Sequence, residues 1–194
     1  QYTFSVYLKA ATTSGAPCKT LLYGASFNSG GSNLEVDWNL STGLPENISS
    51  GLTASMTDVG NGWYRCQVTA TATLTATNAG AQWVRLASST SDVYAWGAQF
   101  EESSTVTPYV KTDVTWTSRA SNATYYDYTG TLRKSSYNLA TNSEAFDSGA
   151  YIQQNVTVNA NAITAPDGTD SADYIQENTS NGRHRVYDQF SVSS

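Results

Sequence analysis

The sequence predicts an all-β fold in which antiparallel sheets pack face to face as a β-sandwich. Apolar and polar residues alternate with a period of two along most of the chain, which is the period of a β-strand. The composition is rich in Thr, Ser, Ala, Asn, Tyr and Val and poor in Lys, Glu, Leu and Met, which favours strands over helices. No segment has the pattern of a helix of convincing length, so we expect strands joined by turns.

The first half of the chain contains the clearest strands. Residues 2–8 and residues 35–40 each have one apolar and one polar face. Asn61-Gly62 is a strong signal for a two-residue β-hairpin turn, and an alternating segment follows it at residues 64–74. Strands with one apolar and one polar face are typical of antiparallel sheets packed as a sandwich.

Two further strands are predicted before residue 110. The first lies around residues 83–86, and the second runs from Val93 to Phe100. In the second strand, strict alternation places four residues on one face: Tyr94, Trp96, Ala98 and Phe100. The same reasoning assigns Trp38 and Trp96 to the core.

The pattern divides the chain into residues 1–110, a connector at residues 111–137 and a final segment at residues 138–194. In the connector, Val114 and Trp116 suggest a short strand, and residues 125–130 suggest a hairpin or turn. The final segment resumes short strands around residues 156–158, 174 and 186–192, with a turn at residues 165–168.

Charge and composition exclude several classes of function. The formal net charge is −6 and no basic face is present, which disfavours a nucleic-acid partner. No apolar run reaches the length of a membrane span, so no membrane insertion is expected. Cys18 and Cys66 are the only cysteines, and two buried free thiols are favoured over a disulfide.

The sequence does not predict an enzyme. His184 is the only histidine and lies in a strand-start pattern, where a surface or rim position is expected. No nucleophile elbow, zinc motif or phosphate-binding loop is present. No cofactor is predicted. Calcium is a weak possibility at Asp167, Asp170 and Asp173, and a pair formed by Asp92 and Glu144 is weaker still.

Several segments resemble a module of bacteriophage tail-fibre and virion structural proteins. They are Asn138–Asp147, Ala165–Thr169, Tyr2–Ala10, Gly62–Arg65 and Tyr94–Glu102, the last being the most specific. The resemblance implies a jelly-roll, concanavalin-like sandwich similar to carbohydrate-binding modules. The two halves of the module stand here in permuted order, because its first half forms residues 138–194.

The resemblance implies a non-enzymatic structural or assembly module at a virion surface or in an extracellular fibre, associating with copies of itself by β-strand complementation. The halves could close within one chain, pair between copies, or belong to a tandem array. A head-to-tail or tandem assembly is slightly favoured over closure within the chain. Two alternating faces are predicted to become neighbours where the two permuted halves meet. One face has Tyr2, Phe4, Val6 and Leu8, and the other has Val186, Phe190 and Val192.

The alternative function is a monomeric carbohydrate-binding module that recognises a host surface glycan; a bacterial adhesin repeat is a third. Sugar binding needs exposed aromatic rings flanked by hydrogen-bonding side chains. Trp63 and Trp83 fall on the more polar faces of their strands, so they are the predicted platform residues.

Overall fold

The computed structural model describes residues 1–11, 17–23, 27, 33–86, 92–112, 124–126, 132–134, 138–140 and 142–192. The regular elements of these residues are all β-strands. In chain order they are β1 (Tyr2–Ala10), β2 (Pro17–Tyr23), β3 (Leu34–Asn39), β4 (Leu44–Glu46), β5 (Thr53–Gly60), β6 (Trp63–Ala70), β7 (Ala76–Leu86), β8 (Val93–Glu101), β9 (Thr124–Tyr126), β10 (Leu132–Lys134), β11 (Ile152–Gln154), β12 (Val156–Ile163), β13 (Ala172–Glu177), β14 (Arg185–Tyr187) and β15 (Phe190–Val192).

The strands form two main antiparallel sheets, which confirms the predicted all-β fold. One sheet has the order β12-β13-β8-β1-β6-β5, and the other has the order β11-β14-β7-β2-β3-β4 with β15 also paired to β7. Strands β9 and β10 form a separate hairpin. The architecture is consistent with a β-sandwich, while the jelly-roll and lectin-like assignment stays a prediction.

One hydrophobic core lies between the two sheets. From β1 it takes the predicted apolar face, Tyr2, Phe4, Val6 and Leu8, all nearly inaccessible to solvent. Alternation on β3 and β7 sends further side chains into the same core from the second sheet. Trp38 is 1 % exposed and its indole Nε1 donates to Thr20 Oγ1 at 2.9 Å, which confirms the core position predicted for this residue.

The N-terminal and C-terminal segments complete this sandwich within one chain. Strand β13 pairs with β8, and β14 pairs with β7, so each main sheet contains strands of both segments. Phe146 and Ile175 are fully buried in the same core as Phe4. Closure within the chain, which was predicted to be slightly less favoured than pairing between copies, is the arrangement of this structure.

The two apolar faces that were predicted to be neighbours belong to opposite sheets. Strand β1 is flanked by β6 and β8, whereas β14 and β15 pair with β7 of the other sheet. Val186 therefore belongs to the same core as Phe4 but approaches it from the facing sheet. The strands themselves are not adjacent, because β8 occupies the place beside β1, so the face of β1 and Val186 share the core from opposite sheets. The side chains of Phe190 and Val192 lie outside the described residues.

A β-bulge in β8 overturns the predicted alternation of that strand. Gly97 has φ +63, and Gly97 and Ala98 together lie opposite Val6, where the register with β1 shifts. Residues before the bulge therefore change face: Ala95, Ala98 and Phe100 point into the core, whereas Trp96 packs on the outer side of the sheet. Trp96 is buried as predicted, at 3 % exposure, but in a different cluster from Phe100.

Most predicted turns are present, and several strands were missed. Asn61 and Gly62 both have positive φ and connect β5 to β6, as expected for a two-residue hairpin loop. The hairpin predicted at residues 125–130 corresponds to β9 and β10, whereas Val114 and Trp116 lie outside the described residues. Strands β2 and β5 were not predicted, because neither segment alternates cleanly between apolar and polar residues.

Candidate functional site

A cluster of aromatic residues covers part of the outer face of the six-stranded sheet. The buried members of this outer aromatic cluster are Trp63, Trp96, Ala165 and Ala172. Its partly buried members are Tyr7, Tyr94, Tyr109 and Ile163. The centroids of Trp96 and Tyr109 lie 4.6 Å apart, and those of Tyr7 and Trp96 lie 5.1 Å apart. The indole Nε1 of Trp96 donates to Ser171 Oγ at 2.9 Å.

Two buried polar residues of β8 hold the segment after that strand against the outer face. Gln99 is fully buried; its Oε1 accepts from the backbone N–H of Val110 at 2.7 Å, and its Nε2 donates to Glu101 Oε2 at 2.7 Å. Glu101 also accepts from the N–H of Thr107 at 3.2 Å. Because each buried polar group has a partner, this polar layer can be covered without an uncompensated desolvation cost.

Asn138 connects the C-terminal segment to the same strand. Its Oδ1 accepts from the backbone N–H groups of Phe100 at 3.0 Å and Ala140 at 2.9 Å. Its Nδ2 donates to the carbonyls of Ala98 at 2.9 Å and Val110 at 3.1 Å. Asn138 is 5 % exposed, so one side chain satisfies four main-chain groups in the interior.

A cleft of about 540 Å³ opens at the edge of the outer aromatic cluster. Three sequence-distant segments line it: the end of β1 at residues 9–11, the β5–β6 hairpin at residues 59–63, and the loop after β12 at residues 163–166, with Tyr94 of β8 at its base. The hairpin loop reaches this position because Asn61 and Gly62 adopt positive φ. No local sequence pattern predicted this cleft, because its lining comes from separate segments.

The lining of the cleft combines aromatic surface with a few polar groups. Trp63 and Tyr94 are its aromatic residues, while Lys9, Asn61 and Thr164 have an ammonium, an amide and a hydroxyl. Lys9 is the only charged residue among the described lining residues. A concave site with aromatic walls and few hydrogen-bonding groups suits a small polar ligand that also has apolar faces.

The prediction that Trp63 presents an exposed ring as a sugar-binding platform is wrong. The residue lies on the outer sheet face, as the alternation predicted, but it is only 2 % exposed because the loop after β12 packs over it. It can therefore present a ring edge to the cleft and not a free ring face. The backbone of Trp83 lies in β7, and its side chain lies outside the described residues.

The three weak calcium candidates have separate partners. Asp167 accepts from the N–H of Thr169 at 2.9 Å, which is ordinary turn chemistry, and Asp170 accepts from Thr164 Oγ1 at 2.8 Å. Asp173 is buried and accepts from main-chain N–H groups. Within the described ranges, no cluster of three or more acidic, histidine or cysteine side chains could hold a metal ion.

Asp92 and Glu144, the weaker calcium pair, are also engaged by protein groups. Asp92 Oδ2 accepts from Tyr174 OH at 2.6 Å, and this hydrogen bond is the main reason the pKa of Tyr174 rises to about 12. Glu144 accepts from Tyr109 OH at 3.0 Å and forms an ion pair with Lys111 at 2.7 Å. Nothing in their geometry gathers the two carboxylates at one cation.

Asp173 gives the fold a pH dependence. Burial raises the pKa of this carboxyl from 3.8 to about 6, although it accepts hydrogen bonds from the N–H groups of Asn161 at 2.9 Å and Phe146 at 2.7 Å. Since the folded pKa is above the unfolded one, the stabilisation is complete below pH 3.8 and is lost as the pH rises through 6.

We therefore expect the free energy of unfolding of the wild type, relative to Asp173→Asn, to fall between pH 4 and pH 6.5. Denaturant unfolding at several pH values measures this difference. The Asn variant is the matched control, because it has the same shape and does not titrate. Parallel stability curves for the two proteins would contradict this assignment.

The cysteines and the histidine have no arrangement that suggests catalysis. Cys18 and Cys66 are free and fully buried, as favoured from the sequence, and burial raises the pKa of Cys18 to about 12. Buried thiols held in the protonated form are poor nucleophiles. His184 Nδ1 lies 2.7 Å from the carbonyl oxygen of Asn155 and 3.4 Å from Glu177 Oε2, and the side chain is partly buried.

Comparisons with known proteins do not assign this chain to a family. The part of the chain that the structure describes contains no helix suited to crossing a membrane. Scans against protein-family models, curated proteins and solved structures found no match to this chain.

Proposed function

We propose that this chain is a non-enzymatic carbohydrate-binding module that works as a monomer and holds a glycan in the cleft beside Trp63 and Tyr94. The observation that carries the proposal is the cleft itself, about 540 Å³ in volume, which is lined by Trp63 and Tyr94 together with Lys9, Asn61 and Thr164. The sequence resemblance supports a setting at the surface of a phage or phage-like virion or fibre, with a host surface glycan as ligand.

The chemistry of the lining suits a sugar. Pyranose rings have apolar C–H faces that pack on aromatic rings, a role that falls here to Tyr94, which is only partly buried. Their hydroxyl groups need nearby donors and acceptors. The ammonium of Lys9 donates to sugar oxygens, and the amide of Asn61 both donates and accepts. The hydroxyl of Thr164, which donates its proton to Asp170 Oδ1, is left as an acceptor. With Lys9 as the one charge in the described lining, the cleft suits neutral as well as acidic sugars.

Closure of the sandwich within one chain supports a monomeric binder. The core is shared by residues of both segments, such as Phe4 and Ile175. No second copy is required to cover this core, so the cleft is formed from a single polypeptide. Burial of Trp63 also gives the cleft a rigid wall, which lowers the ordering cost of binding.

The test is a glycan array followed by calorimetric titration of the best ligand. We expect Ala11→Trp, which fills the cleft, to abolish binding, and Lys9→Gln to weaken it about tenfold through loss of a charged hydrogen bond. Lys111→Gln is the matched control, because Lys111 is exposed and lies outside the cleft. No saturable glycan binding, or full binding by folded Ala11→Trp, would refute the proposal.

A second candidate function is assembly with copies of the same chain, favoured by one observation. Strand β5 is an edge of the six-stranded sheet, eight residues long, and its second half is exposed. Such an edge presents unpaired main-chain groups to another strand. Sedimentation of the purified chain distinguishes the candidates: a monomer at all concentrations leaves only glycan binding, whereas concentration-dependent oligomers favour assembly.

A further inference from the structure

A row of charged side chains crosses the second sheet on the side away from the cleft. In the register of neighbouring strands, Glu46 lies opposite Asp37, Asp37 opposite Lys19, Lys19 opposite Arg85, and Arg85 opposite Arg185. This charged row thus runs across β4, β3, β2, β7 and β14, with two acids at one end and three bases at the other.

The row lies on the outer face of the sheet. Its members alternate with residues that point into the core, including Trp38, Cys18, Val84 and Val186. Successive side chains of a strand point to opposite faces, so the charged side chains point away from the core.

The acids neutralise only one end of the row. Lys19 Nζ lies 3.1 Å from Asp37 Oδ1 and 3.3 Å from Glu35 Oε2, which are close ion pairs. Arg85 Nη1 is 4.0 Å from the same Glu35 oxygen, at the limit of an ion pair. The carboxylates therefore belong chiefly to Lys19.

Arg185 has neutral partners among the described residues. Its Nε donates to Gln154 Oε1 at 2.6 Å, and its guanidinium lies 4.4 Å from the centroid of Tyr187. These contacts hold the side chain in place without compensating its charge. Arg85 and Arg185 are directly opposite each other, and like charges in that position destabilise an antiparallel pair.

We propose that Arg85 and Arg185 form a binding site for an oxyanion, a carboxylate or sulfate group, on the face opposite the cleft. Adjacent strands are about 4.8 Å apart, so two guanidinium groups can donate together to the oxygens of one such group. Guanidinium is the side chain best suited to this planar, paired recognition. The anion would relieve the repulsion between the two residues. The sources that share this chemistry are an acidic saccharide and a free inorganic anion.

The test is titration of the intact chain with inorganic sulfate and, separately, with trigalacturonate at low ionic strength, followed by calorimetry and by the NMR signals of the arginine Nε–H groups. Saturable binding of either probe that Arg185→Gln weakens and Lys9→Gln leaves unchanged supports the proposal. Tighter binding of trigalacturonate identifies an acidic saccharide, and equal or tighter binding of sulfate identifies a free anion. Absence of saturable binding of both probes overturns the proposal.

The matched variants are Arg185→Gln and Arg183→Gln. Gln at position 185 can keep an amide contact with Gln154 but removes the charge, so we expect at least a tenfold loss of affinity. Arg183 is exposed and two residues away, and its replacement should change affinity less than twofold. Equal losses in both variants would mean general charge attraction and would overturn the site.

As a second readout, sulfate should raise the Tm of the wild type, relative to chloride at equal ionic strength, more than that of Arg185→Gln. Because Lys9→Gln lies on the other face, it should leave this binding unchanged, which separates the result from that of the cleft.

Discussion

Replacing Asn138 by Ala is expected to lower the free energy of unfolding by roughly 3 kcal/mol or more. The substitution leaves two N–H groups, of Phe100 and Ala140, and two carbonyls, of Ala98 and Val110, without their partner in the interior. Each buried group left unsatisfied costs about 1–3 kcal/mol, and water entry recovers part of the sum. Denaturant unfolding followed by tryptophan fluorescence measures the loss.

Two variants make the Asn138 result specific. Asn159→Ala, at an exposed position in β12, removes the same chemical group and should change stability by less than about 0.5 kcal/mol. Asn138→Asp keeps the acceptor atom but places a second oxygen toward the carbonyls of Ala98 and Val110. It should therefore be destabilised at neutral pH and partly restored in acid, where a protonated carboxyl can donate. A stable Asn138→Ala variant would show that the C-terminal segment does not depend on this contact.

Phe4→Asp is expected to prevent folding. Phe4 is fully buried at the centre of the core that the two sheets share, between Val68 of β6 and Phe100 of β8. Truncation of a buried Phe alone costs about 3–5 kcal/mol, and an unpaired carboxylate adds a large desolvation cost. Together these two costs are as large as most of the 5–15 kcal/mol free energy of unfolding of an ordinary domain. Circular dichroism and proton NMR of the purified variant report the loss directly.

Phe4→Leu and Thr57→Asp are the controls for this variant. Leu keeps most of the apolar volume and should give a folded but less stable protein. Thr57 lies at an exposed position of edge strand β5, so a carboxylate there should be tolerated. A folded Phe4→Asp protein would mean that the core between the sheets is not closed around this residue.

The sequence predicted the parts of the fold that depend on local pattern. Alternation identified the buried face of β1, and Asn61-Gly62 identified the hairpin, because both signals act over a few residues. The face of β8 was predicted wrongly for the residues before the bulge, Tyr94 and Trp96, because Gly97 inserts a residue that strict alternation does not anticipate. Gly97 between two aromatic segments was the one available signal for that bulge.

The site and the partners of the strands depend on contacts that no local pattern encodes. The cleft combines residues 9–11, 59–63 and 163–166, which only the strand order brings together. Asn138 resembles a loop residue in sequence, and its role appears only when β8 lies beside it. Trp63 alternates correctly onto the polar face, yet a later segment buries it. In each case tertiary packing overrides what the local sequence indicates.

The central position of β1 has a consequence for the rate at which this chain folds. Phe4 has one neighbour at Val68 and another at Phe100, and Tyr94 in turn pairs with Tyr174. Few of these pairings can form before long loops have closed, and loop closure costs entropy before any contact compensates it. Chains dominated by such distant pairings acquire their structure in milliseconds to seconds. While they do so, one edge of β1 and its apolar face are open to other molecules. A nascent copy is therefore most vulnerable to aggregation until residues 93–101 have paired with β1 and the facing sheet has packed over it.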